Sequence, residues 1–566
     1  MAAPPRALVE ALAAVAPRFS PEDRAEKLRL LAELMDCAIG QPLLLLRLHE
    51  TLCFLQACPD DPGVLARVDR ALAEFPARVK RLGPAAAARL HDSGIAGTTL
   101  DYPFGLPMAR WLASRFPHDV EVAWGKYDEG DQLEEALSLL VTPVEEVAFD
   151  FGGMGWRAWL HAAKGGRPLS DLQLVLELLE RSPLPEAARD WLFERLNMPI
   201  AWRLRGPGAS RTLAKLPWPR PYYHPAGLRR IAPDLVRESA RPLPSLRRAP
   251  RPLAESLIEA CRVALATRFR ELHTFSHANP DDVLLADMGR GIRIALIGNL
   301  PEFRFPLEGY YAFLALKNGV PVSYGGGCAL FGTLDLALNI FPSFRQGESA
   351  YLFGQIFRAY RQALGTDTIL VDPYQIGHKN AEALRSGAFY FYHRQGFRPR
   401  DPAVVRLMEE ELAKIARDRS YRSPLPVLRR LARAEMYLVL PGGNPEPEKR
   451  VRASQVAALV SRHVAQAFEG DRAAAVRDAA ARVARALGVP RWKGWPGDQR
   501  AAFDRLSVAL ALIPDLPRWP AAERRAMVRL IKAKGGRGEL PYVKLLHRHR
   551  RFRECLEALL AASPAA

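Results

Sequence analysis

Along the first hundred residues, leucines and alanines recur every three to four positions behind a proline. That spacing predicts helices over Pro21–Leu34, Pro42–Gln56, Pro62–Glu74 and Pro84–His91. Proline suits the first turn of each, where its missing N–H is not needed. Around HDSGIAGTTLDYPFGLPMARWLASRFP the rhythm changes to a glycine-bearing loop and a short helix with Trp111. LSDLQLVLELLERS and PEAARDWLFERLN restore helical spacing between 170 and 200, and a further helix is predicted over Leu253–Leu272. From Ile292 the period drops from 3.6 residues to two. IRIALIG and YYAFLALKNGVPVSYGGG read as strands, with Asn318-Gly319 as the strongest hairpin signal in the chain. Gly325–Gly327 lacks a following GK[ST] and is no P-loop; a bulge or a close backbone approach fits it better.

Strand Leu334–Ile340 then feeds a helix from about Ser349. Strand Thr368–Val371, a helix over Asn380–Gly387 and the run AFYFYHRQGFRP follow. Beyond 400, DPAVVRLMEEELAKIARD, SPLPVLRRLARAEMYLVL and long Ala/Arg-rich amphipathic segments all read as helix. The expected class is α+β, one mixed-sheet domain flanked by all-α N- and C-terminal regions. The expected divisions are a helical region 1–200, a connecting arm 201–252, the sheet-bearing domain 253–400 and a helical region 401–566. The sheet itself is expected from about 285 to 400, with no substantial second sheet.

Composition narrows the class without naming a function. At 566 residues the chain exceeds one core, and about three to four domains is the expected count. Its 49% hydrophobic and 25% charged residues are those of a soluble globular protein. No apolar run approaches the roughly 20 residues of a membrane span. The opening MAAPPRALVEALAAVAPRF, interrupted by Glu10 and Pro17, reads as a first helix rather than a signal. The six cysteines, without CxxC spacing, argue against a zinc site or a disulfide framework and fit a reducing bacterial cytoplasm.

Net charge +18 raises the question of nucleic acid, but a GC-rich codon bias toward arginine accounts for much of it. Residues 101–150 carry eleven acids against three bases, with Asp128, Glu129, Asp131, Glu134 and Glu135 clustered; this reads as a solvated acidic face. Residues 201–250 invert the balance, eleven bases against two acids, with Trp218, Tyr222 and Tyr223 interleaved and ten prolines from Pro207 to Pro252. Such an arm could grip single-stranded nucleic acid. The more economical reading lays it across the acidic face of its own chain.

The chemistry concentrates between Leu307 and Pro399. FRQGESAYLFGQIFRAYRQALG reads as a turn opening a helix directly after an apolar strand. A strand running into a helix N-terminus brings unpaired N–H groups and the positive dipole end together, a natural anion site. Two stretches here are similar to the GNAT superfamily of acyl-CoA N-acyltransferases. PSFRQGESA resembles that family's pyrophosphate loop: Arg345 and Ala350 keep its register, while Glu348 stands where the first glycine belongs and Gly347 lies one place early. HKNAEALRSGAFYFYHRQGFRP resembles the family's ending, with Asn380, Tyr392, Gly396 and Phe397 in order, though the interval from Asn380 to Tyr392 is longer than usual. The resemblance covers about 110 residues.

The resemblance implies acetyl-CoA or another acyl-CoA as co-substrate and an amine as acceptor. Arg345, Gln346, Gly347, Glu348, Ser349, Ala350 and Asn380 would then bind the cofactor, and Tyr392 would protonate the leaving thiolate. No base is fixed by the family pattern. Glu308, at the entry to the first hairpin strand, and Asp335, on the strand before the loop, are the best-placed carboxylates; His273 and His277 are the neutral-range alternatives. From another class, a non-catalytic module of the same fold in a helical scaffold would bind protein or nucleic acid, nucleic acid being the less favoured partner.

Overall fold

The computed structural model describes residues 4–150, 153–206, 208–225, 227–345 and 347–562. Two compact units emerge. One comprises 1–227, 258–277 and 318–321, the other 228–257, 278–317 and 322–566. The first is mainly helical and opens with Pro5–Val15, Pro21–Asp36, Pro42–Ala57 and Pro62–Ala73. Ser20 caps the second of these, its hydroxyl accepting from Asp23 N at 3.1 Å. A small antiparallel sheet also forms, which the helical reading of 1–200 did not anticipate. Its strands are β1 (Thr99–Tyr102), β2 (Val120–Val122) and β3 (Ile200–Arg203), in the order β1-β3-β2. Trp202 of β3 is fully buried against Phe116 and Trp111, and this core orders strands too short to show periodicity.

The arm is divided between the units. In the first, Arg203 pairs with Glu121 at 2.9 Å and Arg205 with Asp119 at 3.8 Å, so two cations do reach the 101–150 segment. Arg211 instead pairs with Glu50, and Lys215 with Asp69 at 2.7 Å.

The second unit is built on one nine-stranded sheet. Its strands are β4 (Ser245–Arg248), β5 (Ala278–Gly289), β6 (Ile292–Asn299), β7 (Gly309–Lys317), β8 (Val320–Leu330), β9 (Thr333–Ile340), β10 (Thr368–Val371), β11 (Arg398–Pro399) and β12 (Met436–Val439). The order is β11-β12-β10-β9-β8-β7-β6-β5-β4. The sheet therefore extends past the expected 285–400 at both ends, into the arm and into a run read as helix. Between β7 and β8, Asn318 and Gly319 both take positive φ, 49° and 85°, as a type I′ turn requires. In β8 the glycine triplet is a close approach: side chains at Gly325, Gly326 and Gly327 would collide with Ala337 O, the Tyr310 hydroxyl and Leu334.

One connection in the sheet matters most. β9 and β10 run parallel, joined by the helix Ser349–Leu364 across one face. That helix buries Phe353, Ile356, Phe357 and Tyr360. Tyr360 donates to Tyr311 O at 2.6 Å from a fully buried position. Tyr360→Phe should lower stability by about 1–2 kcal/mol, seen as a lower urea midpoint with unchanged slope. Within the same unit, Arg304 is buried and donates to the carbonyls of Lys534 (2.6 Å) and Gly536 (2.7 Å), closing the end of the helix Ala521–Lys534. Among the described residues, no helix is long and apolar enough to cross a membrane.

Candidate functional site

The site grows from the junction of β9 with the helix Ser349–Leu364. A single turn, Pro342–Phe344, bends the chain away from the sheet, and Gly347 N donates to Phe344 O at 3.2 Å. Arg345 donates to Ile340 O at 2.9 Å and pairs with Glu382 at 2.8 Å, fastening the loop to strand and neighbouring helix. The Ser349 hydroxyl donates to Arg345 O at 2.7 Å. Gln346 lies outside the described residues.

Glu348 does not cap the helix. Its carboxylate, buried, turns sideways and accepts from Lys317 Nζ at 2.7 Å, Arg290 Nη2 at 2.8 Å and Arg229 N at 2.8 Å. Burial works to raise its pKa, but Lys317 and the hydrogen bonds from Arg229 and Arg290 overcome that and hold it at about 2. The guanidinium groups of Arg229 and Arg290 also lie against the Tyr351 ring, at 5.2 and 5.8 Å from its centroid. Glu348 thus has the charges of Lys317, Arg290 and Arg229 close to it, and Glu238 also acts on the Tyr351 ring that the two arginines flank. Among the described residues, the N–H groups of Ser349, Ala350 and Tyr351 have no acceptor, so the helix start keeps its free donors.

On the sheet, β9 alternates. Leu334 lies on the face of Gly327 and Tyr360, where the joining helix packs, so Asp335 points to the opposite face. Cys328 of β8 is its direct cross-strand partner. Neither the Asp335 nor the Glu308 carboxylate has a hydrogen bond or ion pair among the described residues, and both are partly buried. Burial first, then the nearby charges of Asp372, Glu435 and Glu308, lift Asp335 to about 7 against the opposing pull of Arg450. Burial raises Glu308 as well, with Lys534 and Arg450 pulling it down. Cys328 is held protonated by burial and by the same two carboxylates. Arg450 is itself engaged by Glu435 at 3.0 Å.

The two carboxylates chosen from sequence therefore share one environment. Tyr392 does not join them. It sits on the helix Ala388–Arg394, buried among Phe353, Phe391 and Phe397 at ring distances of 5.9, 5.3 and 5.6 Å. Its contact with Phe353 puts it on the face of the joining helix. Burial raises its pKa, so the phenol stays protonated, and its hydroxyl has no hydrogen bond among the described residues. Asn380, expected as a cofactor contact, has a local structural role. It caps the helix Ala381–Arg385, accepting from Ala383 N at 3.1 Å and donating to Tyr374 O at 3.2 Å. His273 and His277 belong to the other unit.

Strand pairing supplies a feature that no residue pattern showed. β10 pairs with β9 only over Thr333–Asp335. From Leu336 to Ile340, β9 remains bonded to β8 and, among the described residues, is not paired with β10, so the two strands part between Asp335 and the loop, where Arg345 donates to Ile340 O. Those five residues span about 17 Å of strand. Compared with family models, curated proteins and solved structures, the chain matches none.

Proposed function

We propose that the sheet-bearing unit is an acyl-CoA-dependent N-acyltransferase of the GNAT kind, acting on an amine. The observation that carries this reading is the parting of β9 and β10 after Asp335. An extended pantetheine arm fits such an edge as an added strand does, through backbone donors and acceptors. One end of the opening meets the uncapped helix start at Ser349–Tyr351, ringed by Arg229, Arg290 and Lys317, where a pyrophosphate finds donors and positive charge. The other end meets Asp335.

In this scheme Asp335, with Glu308 beside it, takes a proton from the attacking ammonium. The free amine adds to the thioester carbonyl, the C–S bond breaks, the departing thiolate receives a proton from Tyr392, and the nitrogen sheds its second proton, which returns the Tyr392 phenolate to a phenol. The acyl group ends on nitrogen, and no covalent enzyme intermediate is formed. Tyr392 reaches the thiolate only through the opening between the strands, because it and Asp335 stand on opposite faces.

Calorimetry with acetyl-CoA and desulfo-CoA tests the binding half. Both should bind, with the complex weakened by salt in so far as the exposed Arg229 helps to hold the anion. Tyr392→Phe should leave that binding unchanged and slow thiol release from acetyl-CoA by about 10²-fold or more, since only the proton donor is lost. A second reading, a non-catalytic module of this fold, draws on the ion-paired Glu348 and the enclosed Tyr392 ring. Failure of the wild type to bind either ligand at millimolar concentration would favour it.

A further inference from the structure

The chain's positive charge is not spread evenly. Residues 453–562 hold twenty-one Lys and Arg against ten Asp and Glu, a balance of +11 out of the whole chain's +18. A codon bias toward arginine would act on the whole chain; this excess sits in about a fifth of it. The arm at 201–250, also basic by count, has many of its cations matched. Arg203, Arg205, Arg211, Lys215, Arg237 and Arg241 each pair with a carboxylate.

We propose that the C-terminal helices form a nucleic-acid-binding face centred on Arg525, Arg529 and Lys532, which grips the phosphate backbone. These residues lie at i, i+4 and i+7 on the helix Ala521–Lys534, so they form one stripe. All three are exposed, and none is ion-paired among the described residues. Arg524, off the stripe, turns inward and donates to Ala486 O at 3.3 Å. Lys532 lies over the Trp495 ring at 4.5 Å, which ties the stripe to the turn carrying Arg491 and Lys493 and to the start of the helix Gly497–Leu510, with Arg500. Trp492 and Trp495 both pack on Phe503 and remain partly exposed. Asp498 and Asp504 are the acids of that neighbouring helix. Asp504 is raised by burial and faces Arg500 and Lys493, so it offsets only part of the charge.

The pattern favours a polyanion in water over a lipid surface. Every exposed large apolar side chain among the described residues lies at or before Leu425, so this face offers only the partly exposed Trp492 and Trp495, both packed on Phe503, and no protruding apolar anchor. Phosphodiester backbones meet arginines and lysines at such a surface by releasing counterions, without sequence readout. The partly exposed Trp492 and Trp495, set among cations, add a stacking surface for unpaired bases.

The test uses the full chain and a short fluorescein-labelled oligonucleotide, single-stranded and as a duplex, titrated across salt concentrations. The comparison is between Arg525→Gln/Arg529→Gln/Lys532→Gln and a control triple in the arm, Arg220→Gln/Arg237→Gln/Arg247→Gln. The stripe variant should bind roughly tenfold or more weakly at physiological salt, and its log–log salt slope should flatten by about 2 for a single strand. The control should keep both values. That signature on either the single strand or the duplex supports the assignment and identifies the form bound. Equal losses in the two variants would overturn it, leaving only bulk charge, as would absence of wild-type binding at physiological salt. Phosphatidylserine vesicles bound more tightly than either oligonucleotide, through the same three residues, would also overturn it.

Discussion

Replacing Glu348 by glutamine is expected to destabilise the protein by about 3–5 kcal/mol, because it removes a counter-charge from two buried or half-buried cations. The carboxylate is the acceptor for Lys317 Nζ, itself buried, and for Arg290 Nη2. Glutamine keeps the shape and one acceptor oxygen but removes the counter-charge. Acid titration supplies a second readout. With its pKa held at about 2 against an ordinary 4.5, Glu348 contributes stability that is present above 4.5 and lost as pH falls through about 2. The variant should lack that contribution and lie closest to the wild type in the most acidic solutions.

In Glu348→Gln, pyrophosphate or CoA should raise the melting temperature more than in the wild type, since the anion replaces the lost counter-charge. Ligand at a hundredfold excess over its Kd restores about 2.7 kcal/mol, enough to offset much of the loss. Glu348→Gly should behave alike, with tighter CoA binding than the wild type. An unchanged melting temperature in the glutamine variant, with no anion rescue, would mean that Glu348 is neither a counter-ion nor a stand-in for a bound phosphate.

Why Glu348 takes this role was not legible in the sequence. The loop was read as a helix start, and the helix does begin at Ser349. The carboxylate's partners, however, lie 31 and 58 residues away, on β7 and in the turn between β5 and β6. No local pattern joins such residues; the antiparallel sheet brings them together. Long alternating strands with a strong turn signal were legible for the opposite reason. β6, β7, β8 and β9 are each at least eight residues long, and Asn318-Gly319 fixes the β7–β8 turn.

The elements that were missed are short or lack a period. β4 reads Ser-Leu-Arg-Arg within a proline-rich arm and lies at the sheet edge, where polar residues are tolerated. β12 is four residues long, and its leucine-rich surroundings favour helix by local spacing; pairing with both β10 and β11 decides its conformation. Asp335 was legible because it is the one charged residue in the largely apolar LDLALNI strand. Its neighbours Asp372, Glu435 and Arg450 were not, since they reach it from later parts of the chain.

Asp335→Asn is expected to reduce the rate of acyl transfer by about 10²- to 10⁴-fold while leaving CoA binding intact. Asparagine fills the same space opposite Cys328 but cannot accept a proton from an ammonium. In the wild type, the acid limb of the rate should rise with pH through about 7, where burial and the surrounding carboxylates place this group. That limb should vanish in the variant. Stability provides a check that needs no substrate. A carboxyl whose folded pKa is raised from 3.8 to about 7 favours folding fully below 3.8 and loses that contribution as pH rises through about 7. Keeping it ionised costs the folded state about 4 kcal/mol at the upper end. Asp335→Asn should therefore gain stability over the wild type as pH rises through neutrality, after the small difference between the side chains in acid is subtracted. Equal pH dependence of unfolding in the two proteins would remove Asp335 as a neutral-range base, whatever the rates turn out to be.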